Sequence, residues 1–339
     1  MAIIEVGLRL YDGIPVFSFD NLLAQRIDRI SQNAHAEYDP LLGWVPVANF
    51  SSAQSGRTVT FGDHGARMNQ AVIEPVPTGA IMAVGDSFTA GSEVSDDETW
   101  PAHLQQLLKE PVVNAASGGW ATDQMVLRVE TLLPVLTPKT VILGIMVDDI
   151  LRAQFEFRGG AYKPVFVIEN GELVHRNFPV PRYEGNQYET GWLRSILGHL
   201  HSVNWTMERV GYTEWWLKWD ITYRWAHQYG DKVTCLLLER LKRQLDMENA
   251  SLVVLFQYGS NHVRGWSEPP DHQQNVEDCA QDLGLTVVDM WDSLKDKQMN
   301  DEPRFCTLYV QHDGCRVLGH MSSQGNRYVA TQIARALER

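Results

Sequence analysis

Residues 80–91, Ala-Ile-Met-Ala-Val-Gly-Asp-Ser-Phe-Thr-Ala-Gly, constrain this chain more than any other segment. An apolar run from Ile81 to Val84 stops abruptly at Gly85-Asp86-Ser87. Such a run is the pattern of a strand buried on both faces of a parallel sheet. A residue just past that strand lies at the sheet's carboxyl edge, where open α/β folds assemble their sites. Gly85 and Gly91 permit a sharp turn and close backbone approach on either side of Ser87. Ser87 is therefore a candidate nucleophile at the rim, with a helix starting after it and backbone N–H groups able to face the same anion. The tripeptide alone decides nothing. A bare Gly-Asp-Ser arises by chance in roughly one chain in ten of this length, and such loops often serve only turning and capping.

The rest of the chain supplies the rhythm of a parallel sheet. Strand candidates are Ala80–Val84, Val112–Asn114, Thr140–Met146, Leu252–Gln257 and Leu285–Met290. Helical segments lie between and after them: Trp100–Lys109, Thr122–Leu133, Asp231–Glu248, Asn275–Leu283 and Ser323–Leu337. This alternation predicts a three-layer α/β/α sandwich around a central parallel five-stranded sheet. Asp96-Asp97-Glu98-Thr99 reads as a helix start and Ser322 as an N-cap. Residues 1–79 read as an irregular N-terminal arm packed on the core, and residues 80–339 as the main domain, interrupted by an insertion at 151–230. Inside the insertion, Glu169-Asn170-Gly171 reads as a hairpin turn between Val165–Ile168 and Leu173–His175. Trp216, Trp219 and Tyr223 fall on one helical face. They either pack the insertion onto the domain or form a stacking platform for a sugar ring or an acyl chain.

With 44% hydrophobic and 21% charged residues, 339 residues can build a core without metals or disulfides. The formal net charge of −13, with no Lys/Arg run, argues against nucleic acid and against an anionic membrane surface as partners. The four cysteines fit no zinc pattern. Cys306 and Cys315 flank a hairpin-like segment and either pair in an oxidising compartment or stay buried as thiols. No transmembrane span or signal peptide is visible. The amphipathic start, MAIIEVGLRLYDGIP, reads as though an apolar segment had been cut off upstream.

Three further blocks join Ser87: NAASGGWATDQ at 114–124, ILGIMVDDI at 142–150 and HDGCRVLGHMSSQGNRYVA at 312–330. With Gly85-Asp86-Ser87-Phe88-Thr89 they resemble the SGNH (GDSL) hydrolases, in particular members tied to bacterial envelope or exopolysaccharide chemistry. The resemblance implies the flavodoxin-like SGNH fold. It places the nucleophile at Ser87, the base at His320, and the oxyanion donors at the Ser87 and Gly119 N–H groups.

Two positions depart from the family. Its third block carries Asn-Asp, and this chain has Asp148-Asp149, so Asp148 stands at an oxyanion position although a carboxylate repels a developing O⁻. Asp148 is otherwise a structural residue. Relatives place the triad acid two or three residues before the base, where this chain has Leu318 and Val317. Asp313 is the nearest acid, expected to return to His320 through a loop at Cys315–Gly319; a backbone carbonyl is the alternative. His312 is a rival base, farther from the helix start.

The activity implied is a serine esterase working through an acyl-enzyme, without metal or cofactor, and removing acetyl groups from a carbohydrate. An O-acetyltransferase using the same serine, or a glycan-binding protein on a weakened catalytic frame, are the alternatives. The partner expected is a small-molecule or carbohydrate ester. By the same analogy the protein works outside the cytoplasm, in the periplasm of a bacterium, and meets the membrane only through a missing N-terminal anchor. The lack of a signal peptide leaves the cytoplasm open.

Overall fold

Apolar runs that alternate with helices give this chain its central layer. The computed structural model describes residues 2–338 apart from 19, 24–34, 55, 159–160, 183–190, 211, 213–215 and 217–222. The arm contributes two antiparallel hairpins, β1 (Ala36–Asp39) with β2 (Gly43–Pro46) and β3 (Phe50–Gln54) with β4 (Arg57–Phe61). The sheet begins with β5 (Ile81–Gly85), β6 (Val112–Asn114) and β7 (Thr140–Met146). The insertion carries β8 (Phe155–Arg158), β9 (Ala161–Tyr162), β10 (Val165–Glu169), β11 (Glu172–Arg176) and β12 (Tyr223–Trp225). β13 (Ser251–Gln257) and β14 (Thr286–Asp289) complete the sheet, and β15 (Tyr309–Asp313) with β16 (Val317–Met321) forms a late hairpin.

The five sheet strands run parallel in the order β14-β13-β7-β5-β6. Taken in chain order this is 2-1-3-4-5 seen from the β6 edge, so the winding reverses between β5 and β7. Ligand sites form at the carboxyl ends of the strands at such a switch point. Ser87 follows β5 and Asp148 follows β7, so both stand there. All of β5 and all but the first residue of β7 are buried, which is why both read as continuous apolar runs.

Helices flank the sheet in two groups. Thr122–Leu136 packs on Gly230–Met247, which packs on Asp271–Asp282; Trp100–Leu108 packs on Ser323–Leu337. The expected caps are in place. Thr99 Oγ1 accepts from Ala102 N–H at 3.2 Å, and Ser322 Oγ from Gly325 N–H at 3.2 Å.

In the insertion, Asn170 and Gly171 take positive φ (53° and 85°) at the turn joining β10 and β11, as a tight hairpin requires. Trp216 and Tyr223 do not share a helix face. Trp216 is buried against Leu23, its Nε1 donating to Asn204 Oδ1 at 2.7 Å, and Tyr223 begins β12. Trp219 lies outside the described residues. Cys306 pairs with Cys315, and Cys235 with Cys279, the latter tying Gly230–Met247 to the neighbouring helix Asp271–Asp282. The 44-residue separation of that second pair carries no local signal in the sequence. Among the described residues no helix is long and apolar enough to cross a membrane.

Candidate active site

The turn after β5 presents Ser87. Asp86 caps the four-residue helix Ser87–Ala90 by accepting from Phe88 N–H at 2.8 Å. Gly85 admits no Cβ, because Thr89 Oγ1 and the Gly144 carbonyl fill that space. Gly91 then takes φ 74° and reverses the chain.

The site joins distant parts of the sequence. His320 Nε2 lies 2.9 Å from Ser87 Oγ across 233 residues. His320 Nδ1 lies 2.7 Å from Glu93 Oε2, and the His320 backbone N–H donates to the same oxygen at 2.5 Å. A carboxylate on Nδ1 fixes the tautomer with its proton there and leaves Nε2 as the acceptor facing Ser87. Phe88 packs against the imidazole, ring centroids 4.9 Å apart. Burial acts to raise the Glu93 pKa, but the hydrogen bonds from His320 and the charges of His320 and His312 outweigh it and hold the carboxyl below its ordinary value.

This corrects the expectation for Asp313. Residues 317–321 form strand β16 rather than a returning loop, and Asp313 pairs with Val317 at the exposed tip of the hairpin. Three residues of strand separate Val317 from His320, about 10 Å. Glu93 occupies the position instead. His312 is not on Ser87 either; its Nε2 lies 2.8 Å from Glu93 Oε1, so two histidines share one carboxylate. Glu93 has no counterpart in the motif blocks, and its one signal in the sequence is an acid just past the turn at Gly91.

Gly119 takes φ 75°, and its carbonyl accepts from Arg158 Nη1 at 2.9 Å. A Cβ there would meet the same Nη1 at 2.5 Å. The N–H groups of Ser87 and Gly119 donate to no acceptor among the described residues.

Asp148, the residue expected at an oxyanion position, follows β7 and faces His262. Its carboxylate is partly exposed, with Oδ2 3.7 Å from His262 Nε2, and it offers no N–H. Burial lowers the His262 pKa, with Asp148 opposing, and the ring stacks on Trp266 at 4.3 Å. Asp149 is buried and supports the scaffold. It accepts from Met146 N–H at 2.8 Å and pairs with Arg152 at 2.6 Å, while the same Arg152 nitrogen reaches Asp86 at 3.0 Å. Burial and then the Asp86 charge push the Asp149 carboxyl well above its usual range, with Arg152 opposing.

The arm braces this site. Arg67, buried, donates to the carbonyls of Ala90, Gly91 and Val94 and pairs with Asp96 at 3.1 Å. Its backbone N–H donates to Asn114 O at 2.7 Å, joining the arm to the end of β6. The loop that delivers Glu93 is thus fastened from outside the motif blocks.

Residues 83–328 match the model of the GDSL-like lipase/acylhydrolase family. Among solved structures, the chain is similar to a catalytic mutant of Axe2, an acetylxylan esterase from Geobacillus stearothermophilus. The identity is 14% and the TM-score 0.43, over 78% of this chain and 96% of that one. It is also similar to the psychrotrophic esterase EstA from Pseudoalteromonas sp., with 12% identity and a TM-score of 0.39 over 77% and 97% of the two chains. No curated protein matches the sequence.

Proposed function

Because the chain belongs to the GDSL-like lipase/acylhydrolase family and is a serine hydrolase of the SGNH type, we propose that Ser87, His320 and Glu93 cleave an oxygen ester through an acyl-enzyme. The observation that carries this reading is the 2.9 Å contact of Ser87 Oγ with an imidazole whose other nitrogen rests on a carboxylate. His320 Nε2 takes the Ser87 proton as Oγ attacks the ester carbonyl. Glu93 steadies the imidazolium that forms, and the Ser87 and Gly119 N–H groups receive the tetrahedral oxyanion. His320 then protonates the leaving alcohol, and water resolves the acyl-enzyme by the same steps in reverse.

The finer reading is removal of an acetyl group from a saccharide. The cavity between the arm and the nucleophile loop supports it, since Ser52, Ser92, Ser117 and Arg57 line it together with Val59 and Phe61. That mixture suits a polyhydroxylated partner better than a long acyl chain. Two disulfides support work in an oxidising compartment, outside the cytoplasm.

p-Nitrophenyl acetate and a serine-directed phosphonate test the central step. Turnover is expected in the wild type and should fall by about 10⁴–10⁶ in Ser87→Ala. Mass mapping is expected to find the phosphonate on Ser87; a folded protein left unmodified there would overturn the assignment.

A further inference from the structure

We propose that the cavity between the N-terminal arm and the nucleophile loop selects esters of saccharides that carry a carboxylate, with Arg57 as the specificity-determining residue; this deepens, and rests on, the esterase reading above. The cavity has a volume of about 230 Å³. That is below the ~300–1,000 Å³ of pockets for drug-sized ligands and matches a single substituted ring. Its walls come from three places. Ala90 and Ser92 follow Ser87 in the nucleophile loop, Ala116–Gly118 lead directly into Gly119, and His35, Ser52 and Arg57 come from the arm. Both loops that hold the reacting groups therefore border it.

Arg57 touches the backbone of the nucleophile loop. Its Nη1 lies 3.5 Å from Ser92 O, and Ser92 N–H donates to Ser87 O at 3.1 Å. The guanidinium has no carboxylate partner among the described residues. The acids of the adjoining segment are engaged elsewhere. Glu93 holds His320 and His312, Asp96 holds Arg67 and Thr60 N–H, and Glu98 accepts from Ser95 N–H. The other cavity-lining arginine, Arg67, is spent on the loop carbonyls and Asp96.

A guanidinium without a carboxylate partner, bordering a concavity on a chain of net charge −13, is a local attraction for an anion. A neutral sugar leaves its fork of donors to water, whereas a carboxylate takes two of them in parallel. The remaining lining suits the ring that would bear that carboxylate. The His35 ring packs on Phe50 with centroids 5.1 Å apart, and its buried Nδ1 has no partner among the described residues. Hydroxyls of Ser52 and Ser117 offer partners to ring hydroxyls, and Phe61 offers an apolar wall.

The test uses two matched esters, the methyl glycosides of mono-O-acetylated glucuronate and of mono-O-acetylated glucose, which differ only in the carboxylate. The wild type is expected to favour the glucuronate ester in kcat/KM by about tenfold or more, the worth of a charge-assisted pair. In Arg57→Gln the ratio of the two constants is expected to fall to near one, and Arg57→Lys to restore part of it. Equal constants in the wild type, or a preference that survives in Arg57→Gln, would overturn the proposal. Calorimetry with methyl glucuronide on Ser87→Ala, with and without Arg57→Gln, reads the cavity independently of turnover. Binding that disappears with Arg57 supports the cavity even if no ester is cleaved, a result that would remove the esterase reading alone. Binding that is absent, or indifferent to Arg57, removes the cavity proposal.

Discussion

Glu93 places both carboxylate oxygens on histidines, Oε2 on His320 and Oε1 on His312. A neutral amide at this position keeps the shape but loses the charge that favours the imidazolium. Glu93→Gln is therefore expected to lower kcat by up to about 10⁴-fold, whereas Asp313→Asn leaves it within about twofold, as expected for an exposed substitution away from the site. Steady-state kinetics on an activated ester compare the two. The same residue sets a pH dependence of stability. Its folded pKa lies below the ordinary 4.5, so its contribution is present above that value and fades as acid titrates the folded carboxylate. Glu93→Gln should accordingly be less stable than the wild type at neutral pH, with the gap closing on acidification; a gap that stays constant in denaturant titrations would refute this. Ser87 and His320 were legible in the sequence because neighbours announce each of them, a strand stopping at Gly85 and a helix starting at Ser322. Glu93 has no such local signature. Its tie to His320 exists only once the late hairpin meets the loop after Gly91, and tertiary contacts of that kind leave no periodicity to read.

At the scale of elements, the β15–β16 hairpin carries both histidines, His312 on one strand and His320 on the other. The Cys306–Cys315 disulfide joins the helix that enters this hairpin to its tip, so it limits how far both imidazoles can drift from Glu93. Closing a loop of this length removes chain entropy worth about 2–3 kcal/mol. The double variant Cys306→Ala/Cys315→Ala is expected to lose roughly that stability and to lose kcat as well, because His320 is then held less firmly. Unfolding curves and kinetics together check it, and unchanged kcat in a destabilised variant would show that the hairpin needs no staple for catalysis. Strands β5, β7 and β13 were legible nearly to the residue, since burial on both faces writes itself as an apolar run, whereas the half-exposed β14 is shorter than the Leu285–Met290 expected. The role of the arm was not, because Arg67 acts through carbonyls, and backbone acceptors are invisible in a string of side chains.

On the scale of the whole molecule, the N-terminal helix Ala2–Tyr11 docks on the insertion, against helix His201–Arg209. Apolar burial contributes little to that docking, for Ile3, Ile4 and Leu10 face solvent. Polar contacts do the holding. Glu5 accepts from His201 N–H and Ser202 N–H, each at 2.8 Å, at the start of the second helix, where unsatisfied N–H groups and the helix dipole favour a negative charge. Arg9 pairs with Glu5 at 2.5 Å and donates to His199 O at 2.7 Å. Burial acts to raise the Glu5 pKa, yet these bonds outweigh it and bring the value down to about 2 from 4.5. The contribution of Glu5 is thus complete above the unfolded value near 4.5 and lost as pH falls through about 2. Because the central sheet and its helices rest on apolar burial instead, acid should release the N-terminal helix before it reaches the core. The protection factors of Ala2–Tyr11, taken relative to intrinsic exchange at each pH, are expected to fall between about pH 4.5 and about pH 2 while those of β5 and β7 hold. Glu5→Gln should show the lowered protection already at neutral pH, since an amide cannot answer the helix dipole or Arg9 with a charge. If the variant protects the helix as well as the wild type does, the docking rests on something other than this carboxylate.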